Sequence, residues 1–321
     1  MGRRRGGRII NGWINVDKPA GMTSASCVNI VRRTTEAAKL GHAGTLDPSA
    51  SGVLPMALGE ATKTVPFAVN AHKEYVFTIN WGERRDTDDE QGSTIEVSNS
   101  RPRESDIIAK LPLFIGNIIQ VPPAYSAIMV DGVRAYALAR SGEDVKLSPR
   151  EITILSFELM YVNNRDSAVF SVKSGKGAYM RGLARDLAAE LGTCGYLSDL
   201  KRISVGPFNV SEAISLAKIK KLGHSAAKYP ILLPIETALD GIPALNISDT
   251  EALRLRNGQA IQVLEEQNRK QIEAVGDKGI VLAVETTGPV ALVRVDAVSY
   301  THLRAHETDS YLVCRLMLEK K

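Results

Sequence analysis

The sequence predicts an α+β protein in which a mixed-sheet domain precedes a small β-rich module. Strand and helix patterns interleave over the first 240 residues, but hairpin-like strand pairs also occur, which favours a mixed sheet over a doubly wound one. A chain of 321 residues is too long for one ordinary domain and indicates two. Because the composition changes at residues 240–243, we expect domains at residues 1–240 and 241–298.

The first elements follow from hydrophobic periodicity and capping signals. Residues 12–17 alternate apolar and polar side chains as a strand does, and the Lys-Pro-Ala-Gly sequence that follows turns the chain. Thr23 or Ser24 can cap a helix that runs to about residue 39. The next predicted elements are a buried strand at residues 53–58, a short helix at residues 60–70 and an alternating strand at residues 74–81.

The middle of the chain begins with an acidic run. Asp86, Asp88, Asp89 and Glu90 lack the spacing and the closing glutamate of an EF-hand, so they predict an acidic turn without a metal. Ser105 is expected to cap a helix that continues through residue 115. After a proline break at residues 122–125, the predicted elements are a short helix at residues 135–141, strands at 152–161 and 167–173, and a helix at 178–191.

The last part of the chain predicts short strands and then loses its pattern. The strands, separated by turn signals, are expected at residues 259–264, 272–275, 280–284 and 291–295. Residues 299–321 resemble a string that recurs at the ends of unrelated conceptual translations, so we expect an artefactual or disordered, dispensable tail. His302 and His306 have helical i, i+4 spacing but no third ligand, which argues against a zinc site.

Composition excludes several classes of protein. Hydrophobic residues make up 44% of the chain, yet no apolar run approaches the roughly 20 residues of a membrane helix. The N-terminal sequence is basic but lacks the apolar core of a signal peptide, so a cytoplasmic location is expected. The three cysteines, Cys27, Cys194 and Cys314, are not spaced for zinc or redox chemistry.

The net charge of +4 does not by itself indicate nucleic-acid binding, but its distribution is uneven. Basic residues cluster at the start of the chain and again before residue 41, which suggests a basic approach to the loop that follows. A solvated tail and an exposed helix face would give the same pattern. These residues are Arg3, Arg4, Arg5, Arg8, Arg32, Arg33 and Lys39.

That loop, GHAGTLDPSASGVLPMALG at residues 41–59, carries one carboxylate, Asp47, among glycine, serine and proline. Pro48 restricts Asp47 to extended backbone, and the glycines allow sharp bends. The apolar strand that follows should anchor the loop to a core. Asp47 is therefore expected to be an exposed side chain on a preset backbone, although the spacing alone fits a simple Asp-Pro turn.

Six sequence blocks occur in order along residues 9–240. They are GWINVDKPAGMTS (12–24), GHAGTLDPSASGVLP (41–55), KEYVFTINWGERRDTDDEQG (73–92), PPAYSAIMVDGVRAYALARSG (122–142), GKGAYMRGLARDL (175–187) and LKRISVGPF (200–208). The long GHxGTLDPxAxGVLP string is far more specific than a lone glycine motif. Through these blocks the chain resembles the TruB family of transfer-RNA pseudouridine synthases.

The resemblance implies isomerisation of uridine to pseudouridine at position 55 in the T arm of transfer RNA. It also implies a mixed sheet with a central cleft and a PUA-like RNA-binding module after residue 240. The reaction breaks the C1′–N1 bond, rotates the uracil and joins C1′ to C5 without gain or loss of atoms, so no cofactor or metal is expected. Asp47 would form or stabilise a covalent intermediate. Attack at C1′, addition at C6 and a glycal route all remain open.

The same resemblance assigns roles to six further residues. The guanidinium fork of Arg181 would pair with Asp47 and keep it ionised, although an ordinary helix-face salt bridge is the alternative. Tyr75 would stack on the uracil and take part in C5 deprotonation, although it could be a packed strand aromatic. The residues that match nucleotide contacts or support for the pocket are His42, Tyr179, Leu200 and Lys18.

The expected partner is the T arm of transfer RNA, bound by a monomer with no protein partner and no membrane contact. The target base must leave its stack, which costs a few kcal/mol that phosphate contacts and stacking in the pocket have to offset. Met129, where many relatives carry lysine, puts one RNA contact in doubt.

The alternatives are a noncatalytic RNA-binding protein or folding chaperone, and a carboxylate hydrolase. A hydrolase needs a second acid that the Asp47 loop does not offer.

Overall fold

A computed structural model describes residues 6–228, 230–262, 275, 279–286, 288–296 and 302–305. The α-helices, in chain order, are α1 Ser24–Thr35, α2 Val65–Asn70, α3 Glu104–Lys110, α4 Ala135–Arg140, α5 Met180–Glu190, α6 Leu216–Leu222 and α7 Asp249–Arg256. Short 3-10 turns lie at Gly59–Lys63, Leu111–Phe114, Val210–Glu212, Gly223–Ala227 and Ile235–Leu239. None of the helices in these ranges has the length and apolar character that a membrane crossing requires.

The strands fall into two sheets and two hairpins. In chain order they are β1 Gly12–Lys18, β2 Leu40–His42, β3 Ser51–Leu58, β4 Lys73–Trp81, β5 Glu83–Arg85, β6 Thr94–Val97, β7 Gly116–Gln120, β8 Met129–Val130, β9 Val133–Arg134, β10 Arg150–Asn164, β11 Ser167–Ser174, β12 Gly195–Val205, β13 Phe208–Asn209, β14 Ile214–Ser215, β15 Ala244–Asn246, β16 Ile261–Gln262, β17 Ile280–Glu285, β18 Gly288–Asp296 and β19 His302–Ala305.

The large sheet is mixed, as predicted. Its ten strands run β14-β1-β3-β12-β4-β11-β10-β7, with β2 beside β3 and β13 beside β12. The β1–β14 and β3–β12 pairs are parallel, and the other pairs are antiparallel. One core lies between α5 and strands β4, β10 and β11, and a second lies between α1, α6 and strands β1 and β3. The α+β fold class is therefore confirmed.

Helix α1 has the predicted start but an earlier end. The Thr23 side chain caps it by accepting a hydrogen bond from the Ser26 amide at 3.0 Å. The helix stops at Thr35 because Glu36 takes a left-handed φ of 57°. The next backbone groups pair with the N-terminal arm, where the Arg8 amide donates to the Glu36 carbonyl and the Arg8 carbonyl accepts from Ala38. The helix is thus ended by a contact with the N-terminal arm, which the sequence near the end of the helix does not reveal.

Two other predicted helices have different boundaries. The helix expected at residues 60–70 is divided into a 3-10 turn and α2, because Pro66 near the start of α2 has no amide hydrogen to continue the preceding turn. The predicted Ser105 cap is wrong. Helix α3 begins one residue earlier, at Glu104, after Arg103, which makes no side-chain cap bond.

Strands β7 and β12 were not predicted. Strand β12 forms the centre of the large sheet, but bulges at residues 197–199 and 202–204 interrupt its pairing with β4. A bulge shifts the alternation of buried side chains, so the sequence lacks the strict period of two that predicts a strand. Strand β7 is an edge strand with mostly exposed side chains and carries little pattern.

The second sheet has the order β15-β17-β18-β19-β16. Strands β17 and β18 confirm the strands predicted at residues 280–284 and 291–295, and β16 coincides with part of the segment at 259–264. Residues 272–274 of the remaining predicted strand lie outside the described residues. The sheet confirms a small β-rich module, while its PUA-like character and the boundaries at residues 240 and 298 stay predictions.

Four residues of the expected tail belong to this sheet. Strand β19 pairs antiparallel with β18, with Val293 opposite Ala305 and Asp296 opposite His302. Residues 302–305 thus form part of the second sheet, while the artefactual or disordered character expected for residues 299–321 stays a prediction. The physical reason for this pairing is that the edge of β18 presents unpaired amide and carbonyl groups that an additional strand can satisfy.

Candidate active site

The Asp47 loop is held by the start of α1. The Ser24 hydroxyl donates to the Leu46 carbonyl and accepts from the Leu46 amide, both at 2.9 Å. Behind Asp47, the Ala50 amide donates to the Asp47 carbonyl at 3.1 Å, and both Leu46 and Ala50 are buried in a core. The Asp47 side chain remains 34% exposed. The backbone on both sides of Asp47 is thus fixed while its carboxylate stays accessible, as the sequence predicts.

Lys18 supports this loop from behind. Its side chain is fully buried, and its ammonium donates to the carbonyls of Met22 at 2.7 Å, Pro19 at 2.9 Å and Pro48 at 3.4 Å. Burial lowers the pKa of Lys18 to about 8. This burial fits the expected support of the pocket, and a part for Lys18 in binding the nucleotide stays a prediction.

Arg181 pairs with Asp47 through one nitrogen only. Its Nε donates to Asp47 Oδ2 at 2.8 Å, while Nη1 donates to the Thr87 carbonyl at 2.9 Å and Nη2 to the Tyr125 carbonyl at 3.0 Å. The predicted two-pronged fork to the carboxylate is therefore wrong, because backbone carbonyls occupy the other two nitrogens. These carbonyls hold the buried guanidinium so that Nε points at Asp47.

The acidic turn has a structural role that the sequence analysis missed. Asp89 Oδ2 lies 3.7 Å from Arg181 Nε, and Asp88 Oδ2 lies 2.9 Å from Nη1 of Arg185. Both carboxylates are almost fully buried. Burial raises the pKa of Asp88, while Arg185 and Arg181 oppose the shift. The signal for this contact was the pair of arginines four residues apart, one helical turn on α5, facing two adjacent aspartates.

Tyr75 lies opposite another missed residue, Arg202. The two residues are paired directly across β4 and β12. The Arg202 side chain is fully buried, with Nε donating to the Val53 carbonyl at 2.8 Å and Nη2 to the Gly44 carbonyl at 2.9 Å. Burial lowers the pKa of Arg202, and its interactions with Tyr75 oppose that shift. Arg202 thus connects the Asp47 loop to the tyrosine.

Tyr179 is fixed where the chain enters α5. The buried Gln120 side chain accepts from the Tyr179 amide at 2.9 Å and donates to its carbonyl at 3.0 Å. The Arg150 guanidinium lies over the Tyr179 ring, 4.9 Å from the ring centre. Gln120 therefore fixes the backbone of Tyr179, and Arg150 covers one face of its ring.

A cavity of about 290 Å³ brings most of these groups together. Four predicted site residues line it, namely Asp47, Tyr75, Tyr179 and Leu200, and Arg181 contacts the carboxylate from behind. Four cationic side chains also line it, and the sequence analysis assigned a site role to none of them. These are Lys73, Arg150, Lys176 and Arg202.

His42 is not among the residues that line this cavity. It lies on β2 opposite Met56, and its Nδ1 is buried without a hydrogen-bond partner among the described residues. Burial, followed by the charge of Arg202, lowers the pKa of His42, which keeps the imidazole neutral near pH 7. Its contact with a nucleotide stays a prediction.

The arrangement suits chemistry by a single carboxylate. Asp47 is the only carboxylate among the described residues that line the cavity, so a two-carboxylate glycosidase mechanism lacks its second acid. The ion pair with Arg181 fixes the position of the Asp47 carboxylate, a group that can attack or stabilise an electrophilic carbon. Tyr75, Tyr179 and Leu200 offer flat and apolar surfaces that fit a planar base.

Comparisons with known proteins agree with the family resemblance found in the sequence. A family model described as TruB family pseudouridylate synthase (N terminal domain) matches residues 32–180, and one described as tRNA pseudouridylate synthase B C-terminal domain matches residues 181–240. A protein named tRNA pseudouridine synthase B from Rhodospirillum rubrum is 48% identical over 92% of this chain and 96% of its own length. One with the same name from a Caulobacter species is 46% identical over 96% of this chain and 99% of its own length.

Solved structures share the fold. A chain from the structure titled "Crystal Structure of a Cbf5-Nop10-Gar1 Complex" has a TM-score of 0.71 and 24% identity over 95% of this chain and 85% of that chain. A chain from an H/ACA RNP bound to a substrate RNA containing 2′-deoxyuridine has a TM-score of 0.67 and 24% identity, and the match covers 90% of this chain and 79% of that chain. With two family models and curated relatives spanning nearly its whole length, the chain belongs to the TruB family of pseudouridylate synthases.

Proposed function

We propose that this protein isomerises uridine to pseudouridine at position 55 in the T arm of transfer RNA. The observation that carries the proposal is the single accessible carboxylate, Asp47, paired with buried Arg181 at the edge of a cavity that Tyr75 and Tyr179 also line. The names of the curated relatives support transfer RNA as the substrate. The resemblance in the motifs supports position 55.

The reaction needs one bond broken and one formed. The C1′–N1 bond breaks, the detached uracil rotates within the pocket, and C1′ joins C5. The proton on C5 is then lost, and N1 gains a proton, so the product is an isomer of the substrate. Asp47 would hold the sugar or base covalently or by charge during the rotation. Attack at C1′, addition at C6 and the glycal route all use the same carboxylate.

Arg181 and Tyr75 would serve two different steps. Arg181 would orient one oxygen of the Asp47 carboxylate, because its other nitrogens are fixed on the Thr87 and Tyr125 carbonyls. Tyr75, paired with Arg202 across the sheet, would stack on the uracil and take part in the removal of the C5 proton. Leu200 and Tyr179 would limit the tilt of the detached base.

The target base has to be flipped into this cavity, since a stacked base cannot reach Asp47. An enzyme that serves many transfer RNAs should read the shape of the T loop, because the remaining sequence varies between them. Met129 lies exposed on the β8–β9 hairpin, where a lysine would add a charge for RNA. The second sheet would bind phosphates outside the T arm as a PUA-like module. A monomeric state and a cytoplasmic location remain predictions that accompany this substrate.

The test is isomerase activity on unmodified transfer-RNA transcript, with pseudouridine mapped at base resolution. We expect modification at position 55, and we expect Asp47→Asn to abolish it while transfer-RNA affinity stays within about fivefold, because binding energy is spread over many phosphates. RNA binding without pseudouridine in the wild-type protein would indicate a noncatalytic binder or chaperone. Turnover by the Asp47→Asn variant equal to that of wild type would remove Asp47 from the mechanism.

A further inference from the structure

The cavity beside Asp47 carries more positive charge than the proposed isomerisation requires. Four cationic side chains line it, against one carboxylate among the described residues. That carboxylate is already paired with Arg181. Uracil and ribose are neutral, so these cations have no counterpart in the part of the nucleotide that reacts. The imbalance indicates that the cavity holds an additional anion.

The two deeper cations already have hydrogen-bond acceptors within the fold. Lys73 is buried, and its ammonium donates to the carbonyls of Val69 and Ala71, both at 2.6 Å. Arg202 is buried and donates to the Val53 and Gly44 carbonyls. Their nitrogens are used within the fold, so they contribute a positive potential from below the cavity.

The two outer cations, Arg150 and Lys176, have nitrogens to spare. Arg150 Nη2 donates to the Gly177 carbonyl, but its Nε is buried without a partner among the described residues. The terminal Nη1 also has no hydrogen-bond partner among the described residues, so it can donate to an added acceptor. Lys176 is exposed and donates to the neutral Asn70 Oδ1 at 3.0 Å, so its charge is uncompensated by that contact.

Both side chains are positioned at one turn. Lys176 lies in the turn between β11 and α5, and Arg150, from the start of β10, binds the carbonyl of the next residue in that turn. Arg150 also covers the Tyr179 ring, where α5 begins. Two cations are thus held at the rim of the cavity, next to the aromatic ring proposed to contact the flipped base.

We propose that Arg150 and Lys176 bind the phosphodiester groups on either side of the flipped uridine. This inference rests on the proposed function and adds a phosphate subsite to it. A phosphodiester carries one negative charge and oxygen acceptors, which match a partly free guanidinium and an ammonium. The subsite fixes the two ends of the extruded nucleotide, so its ribose stands in line with Asp47. It also makes the site select uridine within an RNA chain over free uridine.

The test combines protein variants with RNA whose phosphate charge has been removed. Synthetic T-arm stem-loops carry one neutral methylphosphonate, placed 5′ or 3′ of the target uridine. Wild type, Arg150→Met, Lys176→Met and the charge-retaining Arg150→Lys are compared by kcat/KM and by equilibrium binding on each RNA. Lys220→Met, at an exposed lysine on α6 away from the cavity lining, is the matched control.

On the native stem-loop, each methionine variant should lose roughly 10- to 100-fold in kcat/KM, as expected for a charge-assisted hydrogen bond. On the RNA that lacks its partner phosphate, the same variant should lose less than about threefold, because the contact is already absent. Arg150→Lys should recover part of the loss, and Lys220→Met should behave as wild type on every RNA.

Equal losses on native and neutralised RNA would overturn the phosphate subsite, because loss of the Gly177 and Tyr179 contacts would lower activity on all RNAs alike. If wild type isomerises neither the native stem-loop nor full-length transfer RNA, the proposed function fails, and the binding data decide the subsite separately. A variant that weakens binding of the native RNA but not of one methylphosphonate RNA would still support the subsite, even without the same pattern in kcat/KM. Absence of that pattern in both measurements rejects it.

Discussion

At the scale of single residues, the site depends on how Arg181 is held. The guanidinium has one bond to Asp47 and two to backbone carbonyls, so its orientation is set by the Thr87 turn and by Tyr125. Asp89 lies near enough to add a second negative charge beside it. The position of the Asp47 carboxylate therefore depends on an arginine that the fold itself orients, and such preorganisation would favour the proposed reaction.

Arg181→Lys should lower kcat by roughly 100-fold or more, although the charge is retained. A single ammonium cannot bind Asp47 and both carbonyls with the geometry of a planar guanidinium, so the Asp47 carboxylate would no longer be held in its orientation. Arg185→Lys is the control, because Arg185 lies one turn later on α5 and pairs with Asp88 instead of Asp47. Single-turnover rates on transfer RNA measure the effect. A lysine variant at residue 181 with normal turnover would contradict the inferred positioning.

His42 should make the protein less stable in acid. Burial holds its folded-state pKa below the ordinary value of 6.5, so below that pH the unfolded chain binds a proton that the folded protein resists. The free energy of unfolding should therefore fall as the pH drops through and below 6.5. In His42→Gln, which cannot be protonated, this part of the fall should disappear. Urea unfolding from about pH 7.5 to about pH 5 is the measurement. Identical pH slopes for both proteins would show that His42 does not contribute.

At the scale of elements, the Asp47 loop is positioned by close contact between β3 and β12. Gly52 at the start of β3 has a φ of +100°, and a Cβ atom there would lie 2.2 Å from the Arg202 carbonyl oxygen. Only glycine allows this approach, which also brings Arg202 beneath the loop at Gly44. The spacing between Asp47 and Tyr75 thus depends on a backbone contact that no side-chain pattern reveals.

Gly52→Ala should lower the free energy of unfolding by about 3 kcal/mol or more, because it combines backbone strain with a clash against backbone atoms. Gly192→Ala is the matched control. That glycine also has a positive φ, of +70°, but a Cβ there would meet no atom within 4 Å. In the Gly192→Ala variant, backbone strain alone should lower the free energy of unfolding, by about 1–2 kcal/mol. Denaturant unfolding separates the two variants, and equal losses would mean that the contact with β12 is unimportant.

At the scale of the whole molecule, the two sheets meet through a small apolar cluster. Leu239, Leu282 and Leu292 form it, and Phe67 of α2 packs against it. Phe67 and the catalytic cavity both belong to the large-sheet part of the chain, whereas Leu282 and Leu292 come from β17 and β18. The module is therefore attached to the domain that carries Asp47, but it contributes no described residue to the cavity lining.

Removing residues 241–321 should weaken transfer-RNA binding more than it slows the bound chemical step. The module would supply phosphate contacts outside the T arm, and such contacts weaken as salt rises. Single-turnover kinetics on the T-arm stem-loop and on full transfer RNA, with and without the module, are the measurement. The stem-loop should react with both proteins. An inert stem-loop beside reactive full-length transfer RNA would show that recognition needs the rest of the molecule.

Local sequence was sufficient for much of the large domain. The strands around residues 12–18, 53–58, 73–81 and 150–174 have runs of apolar or alternating residues, and the helix caps and prolines mark several boundaries. The motif blocks led to Asp47, Tyr75, Tyr179 and Leu200, and the structure brings these four to one cavity. These features could be predicted because hydrophobic periodicity and short motifs are properties of neighbouring residues along the chain.

By itself, the sequence determined the α+β class, the family and the carboxylate at the centre of the proposed reaction. Only the tertiary structure decided that Lys18 supports the loop from behind, that Arg181 gives Asp47 a single bond, and that Asp89 and Arg202 complete the surroundings. It also placed Arg150 and Lys176 at the rim of the cavity. The burial of each side chain, the direction in which it points and the hydrogen-bond acceptor it uses depend on segments far apart in sequence. Those segments become neighbours only when the chain has folded.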